Sequence, residues 1–493
     1  MKTRGVYIVD KNAFPHSFVE VATAVPAFIG HTEKAVNGDK SLTNKPWRVT
    51  SMAEFRSYFG GEPSPVFEIQ EAEDMEPELM LNGVGYRLVQ ANPVYTLYYN
   101  MLLFYANGGG ACYIVSVGDY TTAFDADKFK AGVETLIKEQ EPTLVVVPEA
   151  VCLEKPACIS VQQSVLAHCG YTMKNRFALL DLYDGYRSRQ DPEGDPVTDF
   201  RKAIGSNYLA YGAAYYPWLN TSVVSEKEIT YGNADTAKLK ELVEAEVAGW
   251  KDEKRQAQIM EQLPKIVDTE LEQVDKDLLH TVLLQNSTVY CSVLKGIRQK
   301  VNLLPPGAAM AGIYTMVDNT RGVWKAPAHV SVNNIIAPSV NISYDDQEDL
   351  NMPLSGKAVN AICTFTGEGV KVWGARTLDG NSLEGRYINV RRMMIFLEES
   401  MRNAARAYVF EPNEANTWLN IKSMIENFLR GVWKRGGLAG CVPDDAYSVH
   451  VGLGDTMTPE DILEGIMRIT VLVAIMYPAE FIEITFQQQM QKS

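Results

Sequence analysis

Two aspartates and one histidine–cysteine pair are the side chains in this sequence that could take part in catalysis. Asp181 and Asp184 come at the end of a buried strand predicted over residues 177–182, where the aspartate of a Ser-His-Asp triad could lie. No GxSxG nucleophile motif accompanies them, and none of the six histidines has a recognisable catalytic context. His168 and Cys169 are neighbours on a predicted helix, where consecutive side chains point about 100° apart and do not face each other. The sequence therefore predicts structural roles for these residues and no enzymatic activity.

Glycine-rich and acidic segments do not complete a nucleotide or metal site. Residues 367–369 (GEG) and 452–454 (GLG) lack the third glycine of a dinucleotide-binding loop, and Gly356-Lys357 lacks the remainder of a P-loop. The acidic run 345–349 (DDQED) offers oxygen ligands for Ca²⁺ without the ligand spacing of a calcium loop, so a solvated turn is the favoured interpretation. Seven cysteines without a CxxC pair or zinc-ligand spacing indicate reduced, mostly buried thiols. We therefore expect no cofactor and no metal ion.

Alternating strand and helix patterns make up the first half of the chain. Apolar strands are predicted over residues 25–29, 111–117, 143–148 and 177–182, with amphipathic helices between them. This alternation is typical of a parallel sheet with helices on its faces. Residues 225–302 are more charged and strongly helical, which predicts a helical insertion on the outside of the protein.

The C-terminal hundred residues predict two long helices, one short helix and two strands. Apolar residues recur at spacings of three and four over 389–408 and 417–434, and Gly436-Gly437 ends the second helix. Thr458-Pro459 has the hydroxyl and proline of a helix start, with acidic residues after it. Residues 466–475 and 480–486 are predicted strands.

The length, net charge and apolar content of the chain limit the kinds of protein it can be. The 493 residues suffice for two to four domains, and a formal charge of −15 argues against partners such as nucleic acid or an anionic membrane. No apolar run is long enough to span a bilayer, and the start MKTRGVYIVD has no signal-peptide core. We therefore expect a soluble protein made in a bacterial cytoplasm, without membrane insertion.

Several strings resemble contractile tail sheath proteins, the family found in phage tails, R-type pyocins and extracellular injection systems. In the C-terminal part these are YINVRR (387–392), FEPN (410–413) with a tryptophan at 418, ENFLRGVWKRGGLAG (426–440) and YPAEFIEI (477–484). Further strings are TSMAEFRSYFGG (50–61), FYANGGGACYIVSV (104–117), RGVWKAPA (321–328) and VWGARTL (372–378). The resemblance therefore reaches both ends of the chain.

The resemblance implies a mixed α/β, multidomain fold. It suggests an N-terminal linking arm (1–22), an N-terminal α/β domain (23–120), and a central subtilisin-like α/β domain (121–355) without catalytic residues that carries the insertion at about 225–302. A C-terminal, tube-facing sheath domain (356–478) and a C-terminal linking arm (479–493) would follow.

The resemblance also implies a structural subunit that polymerises helically around an inner tube and contracts to drive that tube through a target envelope. Expected partners are further copies in stacked six-fold rings, the inner tube, baseplate and terminal cap proteins, and a second, paralogous sheath protein. The particle would be a phage tail or a contractile injector, and the length and charged insertion lean towards the injector. Another self-assembling protein, of capsid or surface-layer type, and an α/β hydrolase are the alternatives.

Three groups of residues receive roles from this resemblance. Strand exchange between subunits is expected at Gly5, Val6, Tyr7, Ile8, Val9, Glu480, Phe481, Ile482, Glu483 and Ile484, with a hinge over residues 11–17. Contact with the tube is expected at either the basic residues Lys422, Arg430, Lys434 and Arg435 or the acidic residues Glu460, Asp461 and Glu464. Packing anchors are expected at Trp324, Trp373, Trp418, Phe428 and Trp433. Replacing Trp433 with alanine is expected to cost about 3–5 kcal/mol if that side chain is fully buried.

Overall fold

A computed structural model describes residues 20–73 and 76–481 of the chain. These residues form two compact units, which are described separately. The large unit comprises residues 24–321 and 325–391, and the small unit comprises residues 20–23, 322–324 and 392–481 within the described ranges. None of the helices in these ranges is long and apolar enough to cross a bilayer.

A nine-stranded sheet is the centre of the large unit. Its order is β14-β17-β16-β11-β10-β9-β1-β8-β4, in which the six strands from β16 to β8 run parallel and the flanking strands are antiparallel. The strands are β1 (Pro26–His31), β4 (Trp47–Val49), β8 (Cys112–Gly118), β9 (Leu144–Val146), β10 (Phe177–Asp181), β11 (Gly212–Tyr216), β14 (Val330–Ser331), β16 (Asn360–Phe365) and β17 (Gly369–Trp373). The predicted parallel sheet is confirmed.

Alternate residues of these strands belong to two different hydrophobic clusters, because successive side chains in a strand point to opposite faces. Phe28 and Leu179 belong to one cluster, and Ile29 and Leu180 belong to the other. Helices cover both faces; they are α1 (Met52–Phe59), α2 (Leu97–Ala106), α3 (Ala126–Thr135), α4 (Lys155–Ala167), α5 (Pro196–Ala203), α10 (Gly307–Arg321) and α11 (Tyr344–Asn351). Burial on both faces explains why the inner strands β1, β8, β9 and β10 are mostly apolar runs in the sequence.

Smaller sheets complete the large unit. β5 (Phe67–Glu71), β7 (Val84–Gln90) and β6 (Leu79–Leu81) form an antiparallel sheet. β13 (Leu303–Leu304), β12 (Leu219–Thr221) and β15 (Ile335–Pro338) form another, and β2 (Val36–Asn37) pairs with β3 (Lys40–Ser41).

The predicted insertion at 225–302 is helical, but it is not a separate appendage. It contains α6 (Thr236–Ala248), α7 (Glu253–Gln262), α8 (Gln273–Asn286) and α9 (Thr288–Val301). The buried Leu239 and Ile297 belong to the same hydrophobic cluster as Leu88 of β7. The amide of Asn82 donates a 3.0 Å hydrogen bond to the Leu242 carbonyl. The segment is therefore part of the packed core, with the exposed apolar residues Val274 and Leu278 on α8.

The small unit is built on two long helices, α12 (Ile388–Ala405), most of which lies in this unit, and α13 (Ala415–Lys434). Their apolar faces meet in one cluster, in which the rings of Phe396 and Phe428 lie 5.9 Å apart. Two short helices, α14 (Pro443–Ala446) and α15 (Pro459–Leu463), and two strands, β18 (Tyr447–His450) and β19 (Thr470–Val473), complete it. The predicted helix ends are close to those observed, and Gly436 after α13 has the left-handed φ of +81°.

The boundary between the two compact units differs from the domain boundaries predicted from the sequence. The predicted boundaries after residues 120 and 355 fall between strands of the single nine-stranded sheet. The two compact units instead meet within α12, between residues 391 and 392 of the chain. The reason is that β1 pairs with both β8 and β9, and β11 pairs with β16, so strands far apart in sequence share one core. The subtilisin-like character of this domain stays a prediction.

Candidate assembly surfaces

Asp181, the candidate triad aspartate, binds the start of a helix. Its Oδ1 accepts a 2.7 Å hydrogen bond from the N–H of Gly307, the first residue of α10. Burial raises the pKa of Asp181 to about 7, and the Gly307 hydrogen bond opposes this increase. Asp184 pairs with Arg187 at 2.6 Å. Both aspartates thus have partners within the chain.

His168 and Cys169 lie in a short π-helical segment, His168–Met173, after α4. His168 Nε2 lies 2.8 Å from the guanidinium Nη1 of the fully buried Arg176, which requires a neutral ring that accepts the hydrogen bond. Burial and the positive charge of Arg176 lower the pKa of His168 to about 4. Burial raises the pKa of the Cys169 thiol, so this sulfur stays protonated and is a poor nucleophile.

The acidic run considered for Ca²⁺ binds arginines instead. Asp349 Oδ2 lies 2.7 Å from Arg201 Nη1 and 2.8 Å from Arg189 Nη2. Asp346 accepts a hydrogen bond from Arg189 at 3.4 Å and forms the capping box of α11 with Ser343. The run lies in the helix α11 and not in the solvated turn that the sequence favoured, and two guanidinium groups neutralise Asp346 and Asp349. No group of metal-binding side chains occurs in the described part of the chain.

One buried pair was missed by sequence reasoning. His31 Nδ1 lies 2.9 Å from Glu149 Oε2, and both side chains are fully buried. Glu149 also accepts hydrogen bonds from the backbone N–H groups of Thr96 and Leu97, at the start of α2, at 2.9 and 3.0 Å. The carboxylate therefore joins β1 to α2. The partners are 118 residues apart, and no local pattern signals such a contact.

The four basic candidates for a partner contact lie on or just after α13, and three of them are engaged within the chain. Lys422 lies 3.9 Å from Glu426, and Arg430 hydrogen-bonds the Tyr447 hydroxyl at 3.4 Å. Arg435 Nη1 donates a 3.0 Å hydrogen bond to Glu20, and its guanidinium lies 5.6 Å from the centre of the Trp324 ring. The exposed Lys434 is the basic candidate that remains available for another molecule.

The acidic candidates lie on α15, which has the predicted proline start and hydroxyl cap. Asp461 is engaged, since its carboxylate accepts from the N-cap Thr458 and lies 2.9 Å from Arg468. Glu460 and Glu464 are exposed, and the apolar Leu463 between them is 87% exposed. This helix therefore presents an exposed leucine flanked by two carboxylates.

The five predicted packing anchors differ in burial. Phe428 is buried, Trp324, Trp418 and Trp433 are half-buried, and Trp373 is 45% exposed. The indole N–H of Trp433 reaches the Gly440 carbonyl at 3.0 Å, and that of Trp418 reaches Asn413 at 2.7 Å. Indoles need a polar partner, which places their N–H ends near the surface and explains the incomplete burial.

The predicted strand-exchange residues fall mostly outside the described ranges. Residues 5–9 and 482–484 are not described, and of the remainder Phe481 is 71% exposed. The strands β18 and β19 pair with each other over four residues each, and they form a two-stranded sheet in the described part of the small unit. An unpaired sheet edge has free N–H and C=O groups that a further strand can bind.

Comparison with known proteins relates these surfaces to one family. Residues 384–489 match the phage tail sheath C-terminal domain. A segment of 162 residues is 25% identical to the tail sheath protein of Vibrio phage KVP40, and 143 residues are 27% identical to that of Salmonella phage ViI. These segments cover 33% and 28% of this chain and span 23% and 22% of the phage proteins, about a quarter of their length.

The likeness to one solved structure extends over the whole chain. A chain in the cryo-EM structure of the anti-feeding prophage helical sheath in the contracted state is 25% identical, with a TM-score of 0.62 over 99% of this chain and 100% of that one. The prediction of a mixed α/β, multidomain sheath fold is therefore confirmed. Residues 384–489 are thus similar to the phage tail sheath C-terminal domain, and the whole chain has a fold similar to that of the anti-feeding prophage sheath chain.

Proposed function

We propose that this chain is the structural sheath subunit of a contractile tail or injection machine. Many copies assemble helically around an inner tube, and their rearrangement drives the tube forward. The observation that carries the proposal is the match to a helical sheath chain over the full length of both proteins. The candidate catalytic residues support it, because Asp181 and His168 are bound to Gly307 and Arg176 in the core.

Subunits are held together by strand exchange in this proposal. Residues 5–9 and 480–484 of neighbouring copies add to the two-stranded sheet of β18 and β19. The exposed Leu472 of β19 and the 71% exposed Phe481 offer apolar side chains for such a contact. Backbone hydrogen bonds would stabilise the pairing of the added strand, and its alternating side chains would fix the register of that pairing.

Removal of residues 1–11 tests the strand exchange. We expect the truncated chain to fold with unchanged circular dichroism and a melting temperature near that of the full chain, and to remain monomeric. The full chain, under the same conditions, should form tubes of helical symmetry in negative-stain micrographs. Ordered tubes from the truncated chain would refute the role of the N-terminal arm.

The inner tube is bound through α15 in this proposal. Glu460 and Glu464 flank the exposed Leu463, and their carboxylates do not cap the helix. In contrast, three of the four basic candidates on or just after α13 pair with other residues of the chain. An acidic face with an apolar centre fits a tube surface that has basic residues around an apolar one.

Charge reversal separates the two candidate helices. The double variant Glu460→Lys/Glu464→Lys should form empty sheaths that no longer co-sediment with the tube protein. Lys434→Glu, on α13, should retain tube binding. Loss of binding in the Lys434 variant alone would assign the contact to α13 instead.

Contraction needs no bound nucleotide in this proposal. The extended lattice is metastable, and each subunit gains a few kcal/mol when it moves to better-packed contacts, a bias that adds up along a coupled array. The subunit would assemble in the bacterial cytoplasm with baseplate and cap proteins and then become part of a phage tail or an extracellular particle. Sheath particles that contract in the absence of nucleoside triphosphates would support this mechanism.

A further inference from the structure

A pocket with a volume of about 380 Å³ lies at the end of α10 in the large unit. Two side chains of α10 and three of the chain that follows it supply the apolar part of its lining, namely Met316, Val317, Ala326, Ala328 and Val330. Pockets that bind ligands usually have volumes of about 300–1,000 Å³, so this one is large enough to admit two aliphatic side chains.

Three basic residues belong to the lining of the same pocket. Arg321, Lys325 and His329 are exposed, and neither Arg321 nor Lys325 forms an ion pair with a residue in the described ranges. His329 Nε2 lies 3.3 Å from the ammonium group of Lys371, whose charge is offset by its pairing with Glu368. We call this the basic pocket, because it combines apolar surface with positive charge on a chain whose formal net charge is −15.

The helix α8 has an exposed apolar stripe, which consists of Val274 and Leu278. These residues are 75% and 60% exposed, and a separation of four residues makes their side chains neighbours on one face of the helix. Soluble proteins rarely leave contiguous apolar surface uncovered unless another molecule binds there.

The surroundings of the α8 stripe are strongly acidic. Residues 268–278 contain a single basic residue, Lys276, and five exposed acidic residues, Asp268, Glu270, Glu272, Asp275 and Asp277. None of these five carboxylates forms an ion pair within the described part of the chain. Their mutual repulsion is unrelieved in the single chain, and a basic partner surface would relieve it.

The α8 stripe and the basic pocket are therefore complementary in both charge and polarity. Both lie on the large unit and both are exposed, so they do not cover each other within one chain. The helix α15 also has an exposed leucine, Leu463, but it offers one apolar side chain and two free carboxylates. The α8 stripe offers two apolar side chains and five carboxylates, which makes it the better match for the pocket.

We infer that the α8 stripe of one copy docks in the basic pocket of a second copy. Val274 and Leu278 would leave water against the apolar lining, and Asp275 and Asp277 would approach the cations of the pocket. Each copy has both surfaces, so the contact is heterologous and continues from copy to copy instead of closing as a two-fold dimer. The inference rests on the proposed function, because a sheath subunit needs contacts of this kind beyond the exchange of strands.

Disulfide trapping between two full-length chains tests the inference. One chain has Leu278→Cys and the other, which is longer by an affinity tag, has Ala328→Cys; both have Cys441→Ser, which removes the exposed native thiol. In the control mixture Leu463→Cys replaces Leu278→Cys. We expect at least fivefold more mixed dimer on non-reducing gels from the Leu278 mixture than from the Leu463 mixture. Equal yields or no mixed dimer would overturn the inference.

Reversal of the charges tests the complementarity in the same assay. Arg321→Glu/Lys325→Glu in the tagged chain, or Asp275→Lys/Asp277→Lys in the other chain, should each lower the yield of mixed dimer at least fivefold. Both reversals together should restore the yield to within about twofold, because the charges are again opposite. Reversals without effect, or the absence of recovery in the combined mixture, would contradict the proposed contact.

A matched control separates this contact from the net charge of the chain. Lys202→Glu/Lys227→Glu changes the charge by the same amount at two exposed positions elsewhere on the large unit and should leave the yield unchanged. Negative-stain micrographs of the same mixtures report the proposed function independently. Tubes without the mixed dimer would overturn this inference alone, whereas a mixed dimer without tubes would support the contact and count against the sheath.

Discussion

The carboxylate of Asp181 accepts a hydrogen bond from the backbone N–H of Gly307 across 126 residues of sequence, at a distance of 2.7 Å. This contact joins the carboxyl end of β10 to the first residue of α10, whose N–H has no acceptor within the helix. A side chain at position 307 would not fit, since a Cβ there would lie 2.6 Å from Asp181 Oδ2. The position of the Asp181 side chain therefore requires glycine at position 307, and the Gly307 N–H uses Asp181 as its acceptor.

We predict that Asp181 makes the stability of the large unit depend on pH. The folded chain retains the Asp181 proton up to about pH 7, while an aspartate in the unfolded chain releases it near its ordinary pKa of 3.8. Between these values the unfolded state binds fewer protons, so the free energy of unfolding falls as pH rises. The fall is at most about 4 kcal/mol from this group. In Asp181→Asn the decline between pH 4 and pH 7, measured by urea unfolding, should be smaller than in the wild type. Parallel pH profiles for the two proteins would show that the aspartate is ionised throughout.

We predict that the ion-pair network around Arg201 stabilises the fold. Arg201 is 7% exposed and binds Asp349 Oδ2 at 2.7 Å and the Lys357 carbonyl at 2.9 Å. Arg201→Ala removes the guanidinium that binds the Lys357 carbonyl and leaves Asp349 paired with Arg189 alone, so it should lower the free energy of unfolding by about 3 kcal/mol. Arg48→Ala is the matched control, because the Arg48–Glu141 pair is 46% and 36% exposed and should contribute less than about 1 kcal/mol. Chemical denaturation measures both, and equal losses would contradict the role of burial.

The two units illustrate which features of the fold can be predicted from sequence. The strands β1, β8, β9 and β10 of the central sheet were predictable because each is buried on both faces and is therefore mostly apolar, as in Leu144–Val146. The caps of α13 and α15 were predictable because glycine, proline and threonine act locally. The division into compact units was not, because it depends on which distant strands pair, and no local pattern encodes that β11 lies beside β16.

The same distinction holds for the candidate surfaces. Charged residues on α13 were predicted from helical spacing, but their engagement depends on distant partners such as Glu20 for Arg435. Burial of the tryptophans was overestimated because an apolar helical position does not reveal where the indole N–H finds its acceptor. Trp433 bonds Gly440, seven residues later, and is held at the edge of the cluster.

We predict that Leu429, rather than Trp433, is the critical packing residue of α13. Leu429 is fully buried in the α12–α13 cluster, whereas Trp433 is half-buried beside it. Leu429→Ala removes side-chain atoms from a close-packed site and should cost about 2–5 kcal/mol. Trp433→Ala should cost less, because water can reach the vacated space, which corrects the 3–5 kcal/mol expected for full burial. The measurement is thermal unfolding, in which the Leu429 variant should have the lower melting temperature of the two. A larger loss in the tryptophan variant would place that residue in the core.

We predict that Gly312 sets the close approach of α2 and α10. A Cβ at this position would lie 2.5 Å from the Phe104 carbonyl oxygen, a backbone atom of α2 that cannot rotate away. Gly312→Ala should therefore destabilise the protein by about 1–3 kcal/mol through overpacking, although alanine favours helices by about 1 kcal/mol relative to glycine. Gly296→Ala in α9 is the matched control: a Cβ there meets the Leu88 Cδ1 methyl at 2.7 Å, and that side chain can change rotamer. We expect the Gly296 variant to lose less stability in thermal unfolding, and the reverse order would show that α2 and α10 can separate without cost.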